Sequence, residues 1–172
     1  MKKLISPPLR AAFVSLAKPR AYEGSNQEPK FEMTLLVPKD SQFVKDIQKA
    51  VKTVIEEKWG TKPIKFKYPV LKEPDTDKYP DFEGHFLVKV SSKERPKVVD
   101  KNYHEMDPQD CYSGAFYRAS FNPFGWEHPL QGKGVSMGLS NVMFYKDGER
   151  MGAKRTSPEE DFGADTSFND LE

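Results

Sequence analysis

KFEMTLLVPKDSQFVKDIQKAVKTVIEEKWG, residues 30–60, contains the two clearest structural signals of this 172-residue chain. Its first part alternates apolar and more polar side chains, and the apolar positions are Phe31, Met33, Leu35 and Val37. A period of two is typical of a strand with one buried face. Pro38 ends this pattern, because proline has no amide hydrogen to donate to a neighbouring strand. We therefore predict a strand over residues 30–37.

The second part of the stretch predicts the one convincing helix of the chain, at about residues 41–59. Apolar residues recur there every three to four positions, at Phe43, Ile47, Val51, Val54 and Ile55. Asp40 and Ser41 are both suitable N-caps, and Gly60 suits the position that follows a helix. A helix with one apolar stripe is expected to lie against the sheet that the strands form.

The remaining sequence predicts further strands, joined by loops rich in Pro, Gly and charge. Strand patterns occur at residues 9–17, 64–68, 84–91, 96–99, 114–121 and 134–145. Residues 20–29 are expected to form a loop, and residues 69–82 an exposed loop or lid. Six or seven strands with one inserted helix indicate a mostly β fold, a small antiparallel barrel.

Charge is distributed unevenly along the chain. All 27 Lys and Arg lie at or before Arg155, whereas six of the 26 acids follow it. The other 20 acids leave a basic body of net charge +7, although the whole chain has a formal net charge of +1. Such asymmetry points to nucleic-acid interaction combined with a regulatory or partner-binding tail. We divide the chain into a domain at residues 1–155 and a flexible acidic tail at residues 156–172.

The tail combines carboxylates with a few apolar side chains. Low hydrophobicity with high charge is typical of a segment that does not fold alone, and a simple solubility tail is the plainer alternative. The same attraction that draws phosphate to a basic groove can draw these acids there at close range. The apolar side chains can anchor in a partner's pocket. The residues predicted to act in these ways are Glu159, Glu160, Asp161, Phe162, Asp165, Phe168, Asp170, Leu171 and Glu172.

No motif in the sequence supports catalysis, and we expect no enzyme activity, cofactor or metal. The three histidines are scattered, and the single cysteine, Cys111, can complete neither a zinc site nor an internal disulfide. The glycines at 132 and 134 lack the context of a phosphate-binding loop. Apolar stretches such as residues 33–37 are too short to cross a bilayer, and the N-terminus lacks the apolar core of a signal peptide. We expect a cytoplasmic protein without membrane contact.

Three segments interleave cations with aromatic side chains, at residues 62–68, 86–93 and 111–126. Binding of single-stranded nucleic acid requires cations for the phosphates and ring faces on which unpaired bases stack. The predicted phosphate-binding residues are Lys65, Lys67, Lys89, Lys93 and Arg118. The predicted stacking residues are Tyr112, Tyr117, Phe124 and Trp126. For each residue the plainer alternative is a core aromatic or a solvated cation, since one face of every strand must fill the core.

Two long segments carry a family resemblance. They are YSGAFYRASFNPF at residues 112–124 and GKGVSMGLSNVMFYKDGERMG at residues 132–152, supported by residues 9–14, 31–59 and 161–162. On these segments the chain resembles the phage-encoded OB-fold single-stranded DNA-binding proteins, long classed as a domain of unknown function. The resemblance implies an OB-fold barrel with an added helix. It also implies binding of single-stranded DNA largely without sequence preference, during phage replication, recombination or repair in the infected cell.

The resemblance further implies that the acidic tail contacts phage or host replication and recombination proteins. A second class of function stays open beside it: a structural or scaffolding phage protein that binds other proteins through the barrel and tail. The sequence does not decide between a monomer and a homodimer, or between DNA and RNA as the ligand.

Overall fold

The computed structural model describes residues 3–21, 28–66, 68–151 and 158–163. Its strands are β1 (Leu4–Ile5), β2 (Leu9–Arg20), β3 (Lys30–Pro38), β4 (His85–Ser92), β5 (Lys97–Val99), β6 (Phe116–His128) and β7 (Gly132–Lys146). Its α-helices are α1 (Gln42–Trp59) and α2 (Pro158–Gly163), and short 3₁₀ turns occur at Pro80–Phe82 and Pro108–Asp110. None of the helices in these ranges is both long enough and apolar enough to cross a bilayer.

Five strands close into a barrel. They pair in the order β6, β2, β3, β4, β7, and β7 pairs again with β6. All of these pairings are antiparallel except that of β4 with β7, which is parallel and joins Val90 to Met137 and Ser91 to Gly138. β1 adds to the outside of β6, and β5 adds to β7. A five-stranded, partly open barrel of this kind is the OB-fold, as the resemblance implied.

The barrel interior is filled by the alternate residues of each strand. Met33 and Leu35 of β3, Val88 and Val90 of β4, and Phe121 of β6 are all fully buried. Burying a side chain of this size contributes roughly 1.5–3 kcal/mol. The strand period therefore sets which residues form the core.

Helix α1 closes one end of the barrel with its apolar stripe. Phe43, Val44, Ile47 and Ala50 are buried, and the ring of Phe43 meets that of Phe121 edge to face at 6.0 Å between centroids. The helix begins after Ser41 and ends at Gly60, so the predicted bounds are confirmed.

The segment between α1 and β4 differs from its prediction. Residues 63–66 have no regular structure, so the strand predicted at residues 64–68 is wrong. The loop at residues 69–82 is not simply exposed, because Phe82 is buried against Ala12 and Leu36. Phe13, which has a φ of +51°, places its ring edge to face with Tyr79 and Phe82. The loop thus covers part of the outer surface of the sheet.

The other predicted strands are confirmed: β2, β3, β6 and β7 are longer than predicted, β4 is shifted by one residue, and β5 is one residue shorter. β6 continues to His128, seven residues beyond its predicted end, and pairs with β7 to form one long hairpin. β1 was not predicted, since two residues carry no readable period. Within the predicted tail, Pro158–Gly163 form the short helix α2, and the remaining tail residues lie outside the described ranges.

Candidate nucleic-acid interface

One outer face of the barrel brings together residues from four strands. In register, Glu32 of β3 lies opposite Ser91 of β4, Ser91 lies beside Gly138 of β7, and Gly138 lies opposite Asn122 of β6. The next residues along these strands point into the core, as the burial of Val90 and its counterparts shows. β3 and β4 are the second and third strands of the barrel, whose outer face binds oligonucleotides in many OB-folds.

The β6–β7 hairpin places two aromatic rings on this face. Phe124 is 42% exposed, and its ring lies over Gly138. The Trp126 ring lies across Gly134, and its Nε1 donates a hydrogen bond to Ser136 Oγ at 2.9 Å. A methyl group at position 134 would lie 2.6 Å from Trp126 Cε2, so only glycine admits the ring in this position. The glycines of β7 therefore form a floor for both rings.

Cations lie on the neighbouring strands of the same face. Lys89, two residues before Ser91, places its Nζ 2.9 Å from Glu32 Oε2, and Arg20 Nε lies 3.9 Å from Glu32 Oε1. The Glu32 side chain is only 4% exposed, so two cations cover one buried carboxylate. Lys93 follows the end of β4 and pairs with Glu28 at 3.7 Å. The face therefore carries more positive than negative charge beside the exposed ring of Phe124 and the partly buried ring of Trp126.

The structure brings together four of the predicted site residues: Lys89, Lys93, Phe124 and Trp126. It does so through the pairing of β4 with β7, which sets cations beside rings that lie more than thirty residues away in sequence. The contact of bases and phosphates with these four residues stays a prediction.

Tyr117 is a correction to the predicted site. Its side chain is fully buried in the barrel. The hydroxyl donates to the backbone oxygen of Tyr112 at 2.8 Å and accepts from the backbone amide of Tyr112 at 2.9 Å. Burial raises the pKa of Tyr117 well above its usual range. A buried ring offers no face to a base, so the prediction that Tyr117 stacks on bases is wrong.

Tyr112 lies at the opposite end of the hairpin from Trp126. Its hydroxyl donates to Asp147 Oδ1 at 2.6 Å, and the Arg150 guanidinium lies 4.2 Å from the centre of its ring. Burial raises the pKa of Tyr112, and the hydrogen bond to Asp147 is a second, smaller cause of the same increase. This end of β6 is about ten residues, or roughly 33 Å, from Trp126. Tyr112 is therefore not part of the face that holds Trp126.

Arg118 and Lys65 do not lie beside the two rings of that face, although Arg118 is on the same outer side of β6, six residues before Phe124. Arg118 Nε donates to the backbone oxygen of Ser6 at 3.0 Å, which ties β6 to the segment that follows β1. Lys65 is exposed beside Phe66, whose ring lies 5.7 Å from that of Trp59. Trp59 packs against Gly125, on the reverse side of the hairpin from Trp126. Lys67 lies outside the described residues.

Sequence reasoning missed three contributors to this face. Arg20 and the buried Glu32 were not singled out, although a Glu in an otherwise apolar strand is a usable signal. Gly134 was considered only as part of a phosphate-binding loop, which was rejected, yet its position opposite Trp126 is what admits the ring. Once a hairpin is assumed, a glycine opposite an aromatic residue indicates where a ring can lie flat on the sheet.

A five-stranded barrel with exposed rings and cations on one outer face is the arrangement of OB-fold nucleic-acid-binding domains. The family described as Enterobacter phage Enc34, ssDNA-binding protein, matches residues 2–171. The chain belongs to this family, which confirms the resemblance found in the sequence.

Individual relatives agree with this assignment. Putative protein p50 of Acyrthosiphon pisum secondary endosymbiont phage 1 is 32% identical over 153 residues, which cover 82% of each chain. The structure of the single-stranded DNA-binding protein from bacteriophage Enc34 in complex with ssDNA matches with a TM-score of 0.77 and 25% identity, over 87% of this chain and 89% of that one. The fold is also that of gp2.5, a single-stranded DNA binding protein encoded by bacteriophage T7, with a TM-score of 0.62 and 18% identity over 98% and 96% of the two chains.

Proposed function

We propose that this protein binds single-stranded DNA, largely without sequence preference, during phage replication, recombination or repair in the cytoplasm of the infected cell. The observation that carries the proposal is the joint placement of Phe124 and Trp126 beside Lys89 and Lys93 on one outer face of the barrel. Ring faces accept any base, and ammonium groups attract any phosphate. Both kinds of contact are indifferent to base identity.

The geometry suits a strand that runs across the barrel. Phe124 and Trp126 are two residues apart on β6, so their rings are spaced by about 7 Å. Each base stacked on such a ring contributes about 1–3 kcal/mol. The cations of β4 lie on the other side of Gly138 and would take the phosphates. Each phosphate neutralised adds about −0.7 to the slope of log affinity against log salt concentration.

Glu32 has a positioning role in this proposal. Its buried carboxylate holds Lys89 at 2.9 Å and Arg20 at 3.9 Å, and so fixes two cations on the outer face. It also cancels one of their two charges. The Glu32 carboxylate therefore weakens the attraction of Lys89 and Arg20 for phosphate, but it holds both cations in a defined position. A weaker attraction is consistent with DNA binding that must be reversible.

The acidic tail belongs to the proposal as a regulator. Its six acids have the charge that phosphate has, and the body that they follow carries +7. At close range they would compete for Lys89 and Lys93, with a Debye length of roughly 10 Å at 0.1 M salt. Removal of the tail is therefore expected to tighten DNA binding. When released, the same tail would be available to phage or host replication proteins.

The relatives support the proposal. The Enc34 protein was solved in complex with ssDNA, and the family to which the chain belongs is described by that activity. A stable homodimer is not needed for the face described here, since all of its residues come from one chain.

The experiment is a titration of labelled oligo-dT, followed by fluorescence anisotropy at low salt. Phe124→Ala and Trp126→Ala should each weaken binding by about 5- to 150-fold, the equivalent of 1–3 kcal/mol. Tyr103→Ala is the matched control, because Tyr103 is 78% exposed but lies in the loop after β5. Unchanged affinity in both test variants would show that this face is not the DNA site.

The same titration with double-stranded DNA and with RNA establishes the ligand class. A protein ending at Ser157 tests the tail, and weaker binding without the tail would contradict its role as a competitor. If that shortened protein binds no oligo-dT at low salt, the structural or scaffolding function is favoured instead.

A further inference from the structure

A second surface of the molecule is apolar and has no role in the proposed DNA face. Helix α1, Phe66 and residues 68–71 enclose a groove of about 320 Å³. Its walls are mostly apolar and include Ile47, Val51, Ile55, Phe66 and Val135. This volume is at the lower end of the roughly 300–1,000 Å³ of sites that bury small ligands. We call this surface the α1 groove.

The α1 groove lies on the reverse side of the β6–β7 hairpin from Trp126. Val135 lines the groove, and its neighbours Gly134 and Ser136 contact Trp126 on the other side of the strand. Successive side chains of a strand point to opposite faces. A ligand in the groove would therefore leave the Trp126 ring accessible.

The rim of the α1 groove carries three lysines and one carboxylate, that of Glu127, which accepts a hydrogen bond from Trp59 Nε1. Lys52 lines the groove directly. The Trp59 ring, which lies 5.7 Å from the groove residue Phe66, has Lys58 Nζ at 5.7 Å and Lys133 Nζ at 5.8 Å from its centre. The groove thus combines apolar walls with ammonium groups at the edge, which suits an acidic peptide that carries large apolar side chains.

We propose that the α1 groove is the docking site for residues 168–172 of this chain's own tail. These residues read Phe-Asn-Asp-Leu-Glu, so two apolar side chains three residues apart alternate with two carboxylates. Phe168 and Leu171 enter the groove, and Asp170 and Glu172 meet the lysines of the rim. The tail therefore has the chemistry that the groove requires.

The tail is long enough to reach the groove. Sixteen residues lie between Met151, the last described residue of the body, and Phe168. Six of the sixteen form α2, which rises about 1.5 Å per residue, and with the rest of the chain extended the segment spans roughly 45–49 Å. A domain of this size has a radius of gyration of roughly 15 Å. Tethering a ligand to its site gives an effective concentration of up to the order of millimolar. Even weak intrinsic affinity then populates the docked state.

This docking is independent of the proposed DNA binding. Competition for the DNA face requires only carboxylates, whereas docking in the α1 groove requires Phe168 and Leu171. Substitution of these two residues keeps every charge of the tail, so the two roles can be separated. Docking also needs no DNA, so the result of its test does not depend on whether the barrel binds single-stranded DNA.

Methyl NMR of the full-length protein labelled at isoleucine tests the proposal. The chain has four isoleucines: Ile47 and Ile55 line the groove, Ile64 precedes it, and Ile5 lies on β1. In the variant with Phe168→Ala and Leu171→Ala, the methyl signals of Ile47 and Ile55 should shift, because they lose an aromatic neighbour, while that of Ile5 stays in place. Phe162→Ala is the matched control, since Phe162 is another aromatic residue of the tail.

A charge reversal on the rim gives a second test. Lys52→Glu should produce the same shifts at Ile47 as the tail variant, by repelling the docked carboxylates. Lys45→Glu on the exposed surface of the same helix should not. The proposal is overturned if Ile47 and Ile55 do not respond to the double tail variant, or if Phe162→Ala has the same effect. Shifts that disappear on dilution of the wild-type protein would also overturn it, by assigning the groove to the tail of a second copy.

Discussion

Replacement of Gly134 by alanine is expected to displace the Trp126 ring without removing it. The added methyl group would lie 2.6 Å from Trp126 Cε2 and 3.0 Å from Cη2, whereas carbon atoms pack best at about 3.5–4.0 Å. Alanine itself is acceptable in a strand, and the backbone at position 134 does not have the positive φ that favours glycine. The ring must therefore move away from β7, and its hydrogen bond to Ser136 is lost.

Two magnitudes follow from this displacement. Loss of one neutral hydrogen bond costs about 0.5–1.5 kcal/mol, so the free energy of unfolding should fall by roughly 1 kcal/mol. Loss of one stacking surface costs about 1–3 kcal/mol of binding free energy. The affinity for single-stranded DNA should accordingly fall about 5- to 150-fold, as much as in Trp126→Ala.

Anisotropy with labelled oligo-dT measures the affinity, and the indole N–H signal of Trp126 in NMR reports whether the ring has moved. Gly138→Ala is the control on the same strand, since a methyl group there would lie 3.5 Å from Phe124 Cε1, an ordinary contact, and affinity should change little. The reasoning is refuted if Gly134→Ala shifts the indole signal but binds DNA as tightly as the wild type. Trp126 would then be a structural ring and not a platform for a base.

Three other predictions test separate parts of the molecule. Tyr117→Phe should lower the free energy of unfolding in urea by about 1–3 kcal/mol, because the backbone amide and carbonyl of Tyr112 lose their partner, but it should leave DNA affinity unchanged. Lys93→Ala should make the salt slope of binding shallower by about 0.7 without lowering Tm, since its exposed pair with Glu28 contributes about 0–1 kcal/mol; an unchanged slope would exclude Lys93 from phosphate contact. Burial raises the pKa of Cys111 from 9.0 to about 11, so the contribution of this thiol to stability should be constant below pH 9 and be lost as the pH rises through 11, because the unfolded thiol ionises first. Chemical unfolding measured from pH 8 to 11 should show a flatter decline in Cys111→Ala.

Local sequence patterns predicted the helix and most of the strands, but not which strands pair with one another. The strand at 30–37 and the helix from Ser41 to Gly60 are visible because period and caps are properties of neighbouring residues. The false strand at residues 64–68 has the same alternation, but its apolar residue Phe66 packs against the side chain of Trp59 and residues 63–66 form no strand.

The candidate site was predicted by residue type and not by position. The sequence named cations and rings as the candidate chemistry, but Tyr117 and Trp126 were indistinguishable in it. A period of two shows which residues share a face and leaves open which face is buried. The placement of Lys89 near Phe124 depends on the pairing of Ser91 with Gly138, a contact between residues 47 positions apart that no local pattern encodes. The family resemblance predicted the OB-fold barrel, whereas the grouping of these residues on one outer face became visible only in the structure.

The closure of the barrel has a mechanical consequence. β4 and β7 meet through two parallel residue pairs, whereas β6 and β7 pair along nearly the whole of β6. Parallel pairing is slightly less stable per residue than antiparallel pairing. Separation of β4 from β7 should therefore require less free energy than separation of any other pair of barrel strands, and the line between these two strands is where the barrel is expected to open. A DNA strand bound as proposed, by Lys89 on one side of this line and by Phe124 on the other, would bridge the two strands. The bound state would then be the stiffer one, and the amides of Val90 and Met137 should exchange their hydrogens more slowly once DNA is present.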